Sequence, residues 1–203
     1  MNYLGHIALA APHTHLMAGG MLGDHIKGRL PAGLPQPLAQ GVQLHRLIDG
    51  FSDRHAALGT LREQLPAHWF RFAGILLDLY TDHLLAREPE QYLGEPLERF
   101  SNRSLDKISA WLHHFDGATQ KRFDLIRQQN WLCRYADASF TSACLERIGQ
   151  RIRFGNPLHQ ASQILEQHCD VLDVTSRRIY HDSQQLVAKW LAENREPPAE
   201  PAV

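Results

Sequence analysis

One segment in the first half of the chain limits the possible folds more than any other. In FRFAGILLDLYTDHLLA, residues 70–86, apolar side chains surround the helix axis on nearly every side, which predicts a buried helix. The segment also carries Asp78, Asp82 and His83, and the two aspartates lie one helical turn apart on one face. Buried carboxylates need compensating charge. A divalent cation would supply it, and Arg or Lys side chains from elsewhere in the chain are the alternative.

The remainder of the chain also favours helices. Alternating runs of Val, Ile and Thr are absent, whereas Leu, Ala, Gln, Arg and Glu are plentiful. We therefore predict an all-α fold, a single-domain helical bundle over residues 1–193, with a disordered Pro- and Glu-rich tail at 194–203. The predicted helices are 2–11, 14–27, 38–54, 67–87, 96–115, 118–131, 139–151 and a long last helix from 158 to 190, with a Gly- and Pro-rich loop at 28–37.

Composition narrows the functional classes. The formal net charge of −1 gives no overall attraction to nucleic acid or anionic lipid. No stretch approaches the roughly 18 apolar residues that a membrane span requires, and the apolar run at the N-terminus is too short for a signal peptide. The three cysteines, Cys133, Cys144 and Cys169, have no CxxC spacing, which argues against a disulfide framework or structural zinc. We expect a cytoplasmic protein that binds neither nucleic acid nor membrane.

A second group of candidate ligands lies on the predicted helix 38–54. In VQLHRLIDGFSD, His45 and Asp49 are one turn apart, and Asp53 follows one turn later. A His and an Asp at this spacing can both reach one ion. The alternative is a surface His–Asp pair beside Arg46 and Arg54.

Two further candidates come from the first two helices. Asp24 ends the segment MAGGMLGD, whose glycines Gly19, Gly20 and Gly23 would let a ligand or another backbone approach closely. An ordinary Asp at a glycine-rich helix end is an equally good interpretation. His6 lies in an otherwise apolar helix, where a lone His is more often a satisfied core residue than a ligand.

Taken together, these residues predict a metal site built from His and Asp without Cys. Such donors suit Mn²⁺, Mg²⁺ or Fe²⁺ better than structural zinc. The candidates are His6, Asp24, His45, Asp49, Asp78, Asp82 and His83.

Five blocks in these regions resemble the acyl-carrier-protein phosphodiesterase family, also called ACP hydrolyase. The blocks are MNYLGHIALA, GMLGDHIKG, GVQLHRLIDGFSD, LDLYTDHLLA and WLCRY, and the similarity runs from Met1 to about Trp190. The resemblance implies hydrolysis, by a metal-activated water, of the phosphodiester that joins 4′-phosphopantetheine to a serine of acyl carrier protein. It further implies a divalent metal, with Mn²⁺ preferred, and an HD-domain-like fold, although Asp82-His83 reverses the usual His-Asp order.

The resemblance also implies roles for the candidate residues. The metal ligands would come from Asp24, His45, Asp78, Asp82 and His83. The catalytic residues would be His6 and Asp49, as a general base or as groups that orient a ligand. Because carrier proteins are acidic, we expect phosphate and carrier binding by Lys27, Arg29, Arg46 and Arg54, with Arg62 and Arg71 on the same basic surface, unless these are ordinary solvated charges.

Two other functions are compatible with the sequence. An HD-like nucleotide phosphohydrolase would act on small phosphoesters without a carrier protein. A helical interaction protein without chemistry would bind no metal and would satisfy its buried aspartates with arginine.

Overall fold

The computed structural model of the chain describes residues 1–194, and within this range the protein is built of helices without strands. The predicted tail lies outside the described residues from position 195 onward. The helices are α1 (Tyr3–Ala10), α2 (Thr14–Leu22), α3 (Gln36–Arg54), α4 (Ala56–Gln64), α5 (Ala73–Arg87), α6 (Pro89–Leu93), α7 (Leu97–Ser109), α8 (Gly117–Gln128), α9 (Trp131–Arg134), α10 (Ala138–Arg151), α11 (Ala161–Gln167) and α12 (Cys169–Glu193), with 3-10 turns at Ala67–Phe72, Leu112–His114 and Leu158–Gln160. The all-α prediction is confirmed.

Several predicted boundaries differ from the observed ones. Helix α2 stops at Leu22 rather than at residue 27, and α4 did not stand out in the sequence. The long last helix is in fact a 3-10 turn followed by α11 and α12, with a break at His168. The apolar pattern conceals this break because the buried Leu165 and Leu172 on either side keep a seven-residue spacing, which is two helical turns.

Helix α5 runs through the single hydrophobic core, in contact with α1, α4, α10 and α12. Its side chains are buried along nearly its full length, as the sequence predicts. None of the helices in residues 1–194 combines the length and the apolar character needed to cross a bilayer.

Glycines allow α2 and α3 to pack closely. A Cβ added at Gly19 would lie 2.5 Å from the Cα of Gly41, so neither position accepts a side chain without a shift of the backbone. His45 and Asp49 follow Gly41 at intervals of one turn and therefore lie on the α3 face that packs against α2. This close packing determines where the two side chains lie.

Candidate metal centre

Three side chains from two helices converge beside the α2–α3 packing. His6 comes from α1, and His45 and Asp49 come from α3. Their ligand atoms all lie within 4.8 Å of one another. Nε2 of His6 is 2.9 Å from Oδ1 of Asp49, and Nε2 of His45 is 3.0 Å from Oδ2 of the same carboxylate. The two imidazole rings are stacked, with centroids 3.9 Å apart.

The geometry of this cluster fits a divalent cation. Two ligand atoms at right angles and about 2.1 Å from an ion lie about 3.0 Å apart, which matches both nitrogen–oxygen separations. Nε2 of His6 and Oδ1 of Asp49 are buried and only 2.9 Å apart, yet neither atom has a well-formed hydrogen bond. Buried polar atoms without partners are costly, and an ion at this point would satisfy both.

Charge is distributed unevenly among the three groups. Burial and the neighbouring His45 lower the pKa of His6 to about 4, so its ring is neutral at pH 7. Burial also opposes a charge on His45, but the carboxylates of Asp24 and Asp49 raise its pKa to about 9. The pKa of Asp49 falls well below its ordinary value, because the two imidazoles outweigh the opposing effect of burial. The cluster thus holds one exchangeable proton at neutral pH, on His45.

An open pocket of about 430 Å³ lies on one side of the cluster. Asp24 reaches it from the turn after α2, with Oδ1 3.6 Å from Nε2 of His45. The pocket is lined by Gly23, Asp24, Ile26, Lys27, Gly28, His45, Arg46 and Asp49. His45 and Asp49 therefore face a space that a substrate can enter.

The two aspartates of α5 have other partners. The carboxylate of Asp82 is fully buried and accepts the backbone N–H groups of Asn2, Leu4 and Gly5 at 3.2, 2.8 and 2.9 Å, which cap the start of α1. Burial raises the pKa of Asp82 to about 7, while these amides lower it from the value that burial alone would give. Asp78 accepts the α-ammonium of Met1 at 2.6 Å.

In the described residues, the compensating groups are thus not guanidinium groups. They are the amide groups at the start of α1 and the Met1 ammonium, which also lies 3.7 Å from Oδ1 of Asp49. No sequence motif marks such a pairing, because any backbone N–H can serve as the donor. The contacts nevertheless matter for the site, since they attach α1, and with it His6, to α5.

His83 lies away from the cluster. Its Nδ1 donates to the carbonyl oxygen of Tyr135 at 2.7 Å, and its ring lines a separate cavity with Tyr80, Arg87 and Cys169. Burial lowers the pKa of His83. The structure does not bring His83 together with His6, His45 and Asp49.

Among the predicted phosphate-binding residues, Lys27 lines the pocket and is exposed. Arg46 is also at the pocket, but its guanidinium donates to the carbonyl oxygens of Ile26 at 2.8 Å and Gly28 at 2.9 Å. Arg46 therefore braces the loop that carries Lys27. Arg29 is exposed just beyond this loop and is not part of the pocket lining.

The other three basic residues lie outside the pocket. Arg54 is exposed at the end of α3. Arg62 and Arg71 lie over the rings of Phe70 and Phe154 at 5.7 and 5.2 Å from the ring centroids. These contacts use the guanidinium faces in cation–π interactions.

Comparison with known proteins identifies the family. The sequence model of acyl carrier protein phosphodiesterase matches residues 1–183. The chain belongs to the acyl carrier protein phosphodiesterase family. Relatives of that name are 26% identical over 181 residues in Photorhabdus laumondii and 28% identical over 174 residues in Yersinia pestis, covering 89% and 85% of this chain and 91% and 90% of theirs. A Salmonella paratyphi A relative is 27% identical over 190 residues, covering 93% of this chain and 97% of its own.

No solved structure matches this acyl carrier protein phosphodiesterase family member. The likeness to HD-domain folds therefore stays a prediction. The family match covers the whole candidate centre, since His6, Asp24, His45 and Asp49 all lie within residues 1–183.

Proposed function

We propose that this chain hydrolyses the phosphodiester between 4′-phosphopantetheine and the serine of holo-acyl carrier protein, releasing apo-carrier protein and 4′-phosphopantetheine. The observation that carries the proposal is the His6–His45–Asp49 cluster, which has metal-ligand geometry and opens onto a pocket in a chain of this family. We also propose a cytoplasmic location, which the three free thiols support.

We propose Mn²⁺ as the resident ion, held by His6, His45 and Asp49. Two imidazoles and one carboxylate suit a borderline divalent ion, and Mg²⁺ or Fe²⁺ are the alternatives to be tested. When bound, the ion would supply positive charge to the phosphate and acidify water. Asp78, Asp82 and His83 have other partners, so the proposed ligand set does not include them.

The surrounding residues would orient the reactants. Oδ1 of Asp24 faces the pocket and can accept a hydrogen bond from the attacking water. The exposed ammonium of Lys27 can bind a non-bridging phosphate oxygen, and Arg46 keeps its loop in place. In the net reaction the water oxygen joins phosphorus, the bond to the serine oxygen breaks, and that oxygen takes up a proton.

The carrier protein would approach from the open side of the pocket. Lys27 and Arg29 are exposed next to this opening, which suits an acidic partner. Rates on the carrier should fall as salt is added, because exposed charge pairs are screened. The rate on a small phosphodiester should change less.

The test is an assay of holo-carrier protein by mass spectrometry, which detects loss of the phosphopantetheine arm. We expect turnover with Mn²⁺, none after chelation, and recovery when Mn²⁺ is added back. Turnover by fully chelated enzyme would contradict the metal centre but not the hydrolase activity. No loss of the arm under any metal, together with cleavage of a free nucleotide, would instead support a nucleotide phosphohydrolase.

A further inference from the structure

A second cavity lies at the start of α1, between α8, α9 and α10. It has a volume of about 180 Å³, and three of its lining residues are Arg122, Arg147 and Arg151. Trp131 and Tyr135 contribute aromatic surface to the same lining. We call this space the arginine cavity.

The three arginines have no acidic partner. In residues 1–194 none of them forms an ion pair with Asp or Glu, whereas arginines elsewhere, such as Arg87 and Arg177, do. Arg147 and Arg151 are exposed and Arg122 is half-buried, so three guanidinium groups without an acidic partner border one open cavity, and an anion bound between them would be attracted by all three. The arrangement is therefore suited to a phosphate group.

The arginine cavity lies close to the metal centre. Tyr3, on its lining, is one turn before His6 on α1. Burial raises the pKa of Tyr3, Arg122 lowers it and Asp24 raises it, so the phenol senses both the cavity and the carboxylate beside the cluster. One extended ligand can therefore have its phosphorus near the centre and its adjoining atoms at Tyr3.

Size and lining indicate which part of a ligand fits. Sites for whole drug-sized ligands measure about 300 to 1,000 Å³, so this cavity holds a fragment. Trp131, Tyr135 and Ile148 offer apolar surface for a branched alkyl group, and the arginines offer charge for the neighbouring phosphate.

We propose that the arginine cavity binds the phosphopantetheine arm, with the alkyl portion next to the phosphate against Trp131 and Tyr135 and the phosphorus itself near the metal centre, where the arginines add positive charge from the side of the cavity. This inference rests on the proposed function and assigns the part of the substrate that the metal cluster does not hold. It gives the enzyme a means to distinguish a phosphopantetheinyl serine from other phosphodiesters.

The test measures binding of free 4′-phosphopantetheine by calorimetry to the full chain in the presence of a chelator. The variants are R147A, R151A and the charge-preserving R147K, and R153A removes an arginine that is exposed like Arg147 and Arg151 but lies outside the cavity lining. We expect R147A and R151A to bind about tenfold more weakly, R147K to recover part of the loss, and R153A to bind as wild type. Pantetheine, which lacks the phosphate, should bind far more weakly than 4′-phosphopantetheine, and inorganic phosphate should compete with it.

The proposal would be overturned if all variants bound 4′-phosphopantetheine with equal affinity, if the wild type bound pantetheine as tightly as 4′-phosphopantetheine, or if the wild type bound neither. A raised KM for holo-carrier protein with unchanged affinity for 4′-phosphopantetheine would also overturn it, because the arginines would then dock the carrier protein. Wild-type turnover of holo-carrier protein is measured separately. If the wild type turns over holo-carrier protein, the proposed function stands whichever binding result is found. If it does not, the proposed function is wrong.

Discussion

Gly23 leaves the space that the imidazole of His45 occupies. A Cβ at position 23 would lie 2.2 Å from Cγ and Cδ2 of that ring, which is far inside van der Waals contact. Because position 23 is the C-cap of α2, the end of this helix and a proposed metal ligand on α3 are mutually fitted. Ligand position in this centre therefore depends on a residue that offers no ligand atom.

G23A should weaken Mn²⁺ binding by about tenfold to a hundredfold, because the methyl group must displace the His45 ring. Calorimetric titration of the metal-free protein measures this affinity. G20A is the matched control, since a Cβ there would lie 3.7 Å from Cβ of His6, an ordinary contact. G20A should keep its Mn²⁺ affinity. An unaffected G23A would argue against His45 as a ligand.

D49N should weaken Mn²⁺ binding and slow turnover by at least about a hundredfold each, because the amide replaces the only carboxylate of the three-residue cluster. D53N is the matched control one turn further along α3, where Asp53 is exposed. It should bind Mn²⁺ as wild type. Circular dichroism of both variants checks the fold. D49N with normal metal content would place the ion elsewhere.

Helical spacing predicts one contact of the candidate centre but not the partners of the buried aspartate on α5. It predicts that His45 and Asp49 share a face of α3, and their side chains do meet. It does not predict the partner of Asp82, because the donors are backbone amides 77 to 80 residues earlier in the chain. A backbone N–H has no residue type, so the sequence around a buried carboxylate does not reveal whether its partner is a cation or the start of a helix.

In the fold, too, some features follow from local sequence patterns and others from contacts between distant residues. Periodicity and the lack of strand patterns are sufficient to predict an all-α protein, because the longer helices bury an apolar stripe or nearly their whole surface. The break between α11 and α12 and the early end of α2 depend on tertiary packing. They could not be predicted from local patterns.

D82N should destabilise the protein by about 3 kcal/mol, because the new amide group brings N–H donors to amides that need an acceptor and removes the charge at the start of α1. Urea unfolding of the metal-free protein at pH 8, above the raised pKa of about 7 of Asp82, measures the free energy of unfolding. D78N should cost less, since the side chain of Asp78 is 41% exposed. If D82N kept its stability and lost only Mn²⁺, Asp82 would be a metal ligand.

The apparent affinity for Mn²⁺ should rise about tenfold per pH unit between pH 6.5 and 9. Over this range the metal-free protein holds a proton on His45, whose pKa is raised to about 9, and the ion must displace it. His6 contributes no proton because its pKa is lowered to about 4. Calorimetry in buffers of different ionisation enthalpy should find about one proton released per ion. Release of none would exclude His45.

The same proton affects stability without metal. Folding raises the pKa of His45 above the ordinary value of 6.5, so the bound proton stabilises the folded state. This stabilisation is fully present below pH 6.5 and is lost as the pH rises through about 9. Urea unfolding between pH 6 and 10 should therefore show a falling free energy of unfolding for the metal-free wild type. The decline should be smaller in H45Q, which has no such proton.

The same substitution in two buried histidines, H83Q and H45Q, should show whether the ion is bound by the His6–His45–Asp49 cluster or by the Asp82-His83 pair. H45Q should lose Mn²⁺, because Nε2 of His45 lies 3.0 Å from the Asp49 carboxylate. H83Q should bind Mn²⁺ within about twofold of wild type and cost about 1 kcal/mol of stability, because it disturbs one hydrogen bond to the Tyr135 carbonyl. If H83Q lost the metal as completely as H45Q, the ion would have to reach α5, and a ligand set limited to α1 and α3 would be wrong.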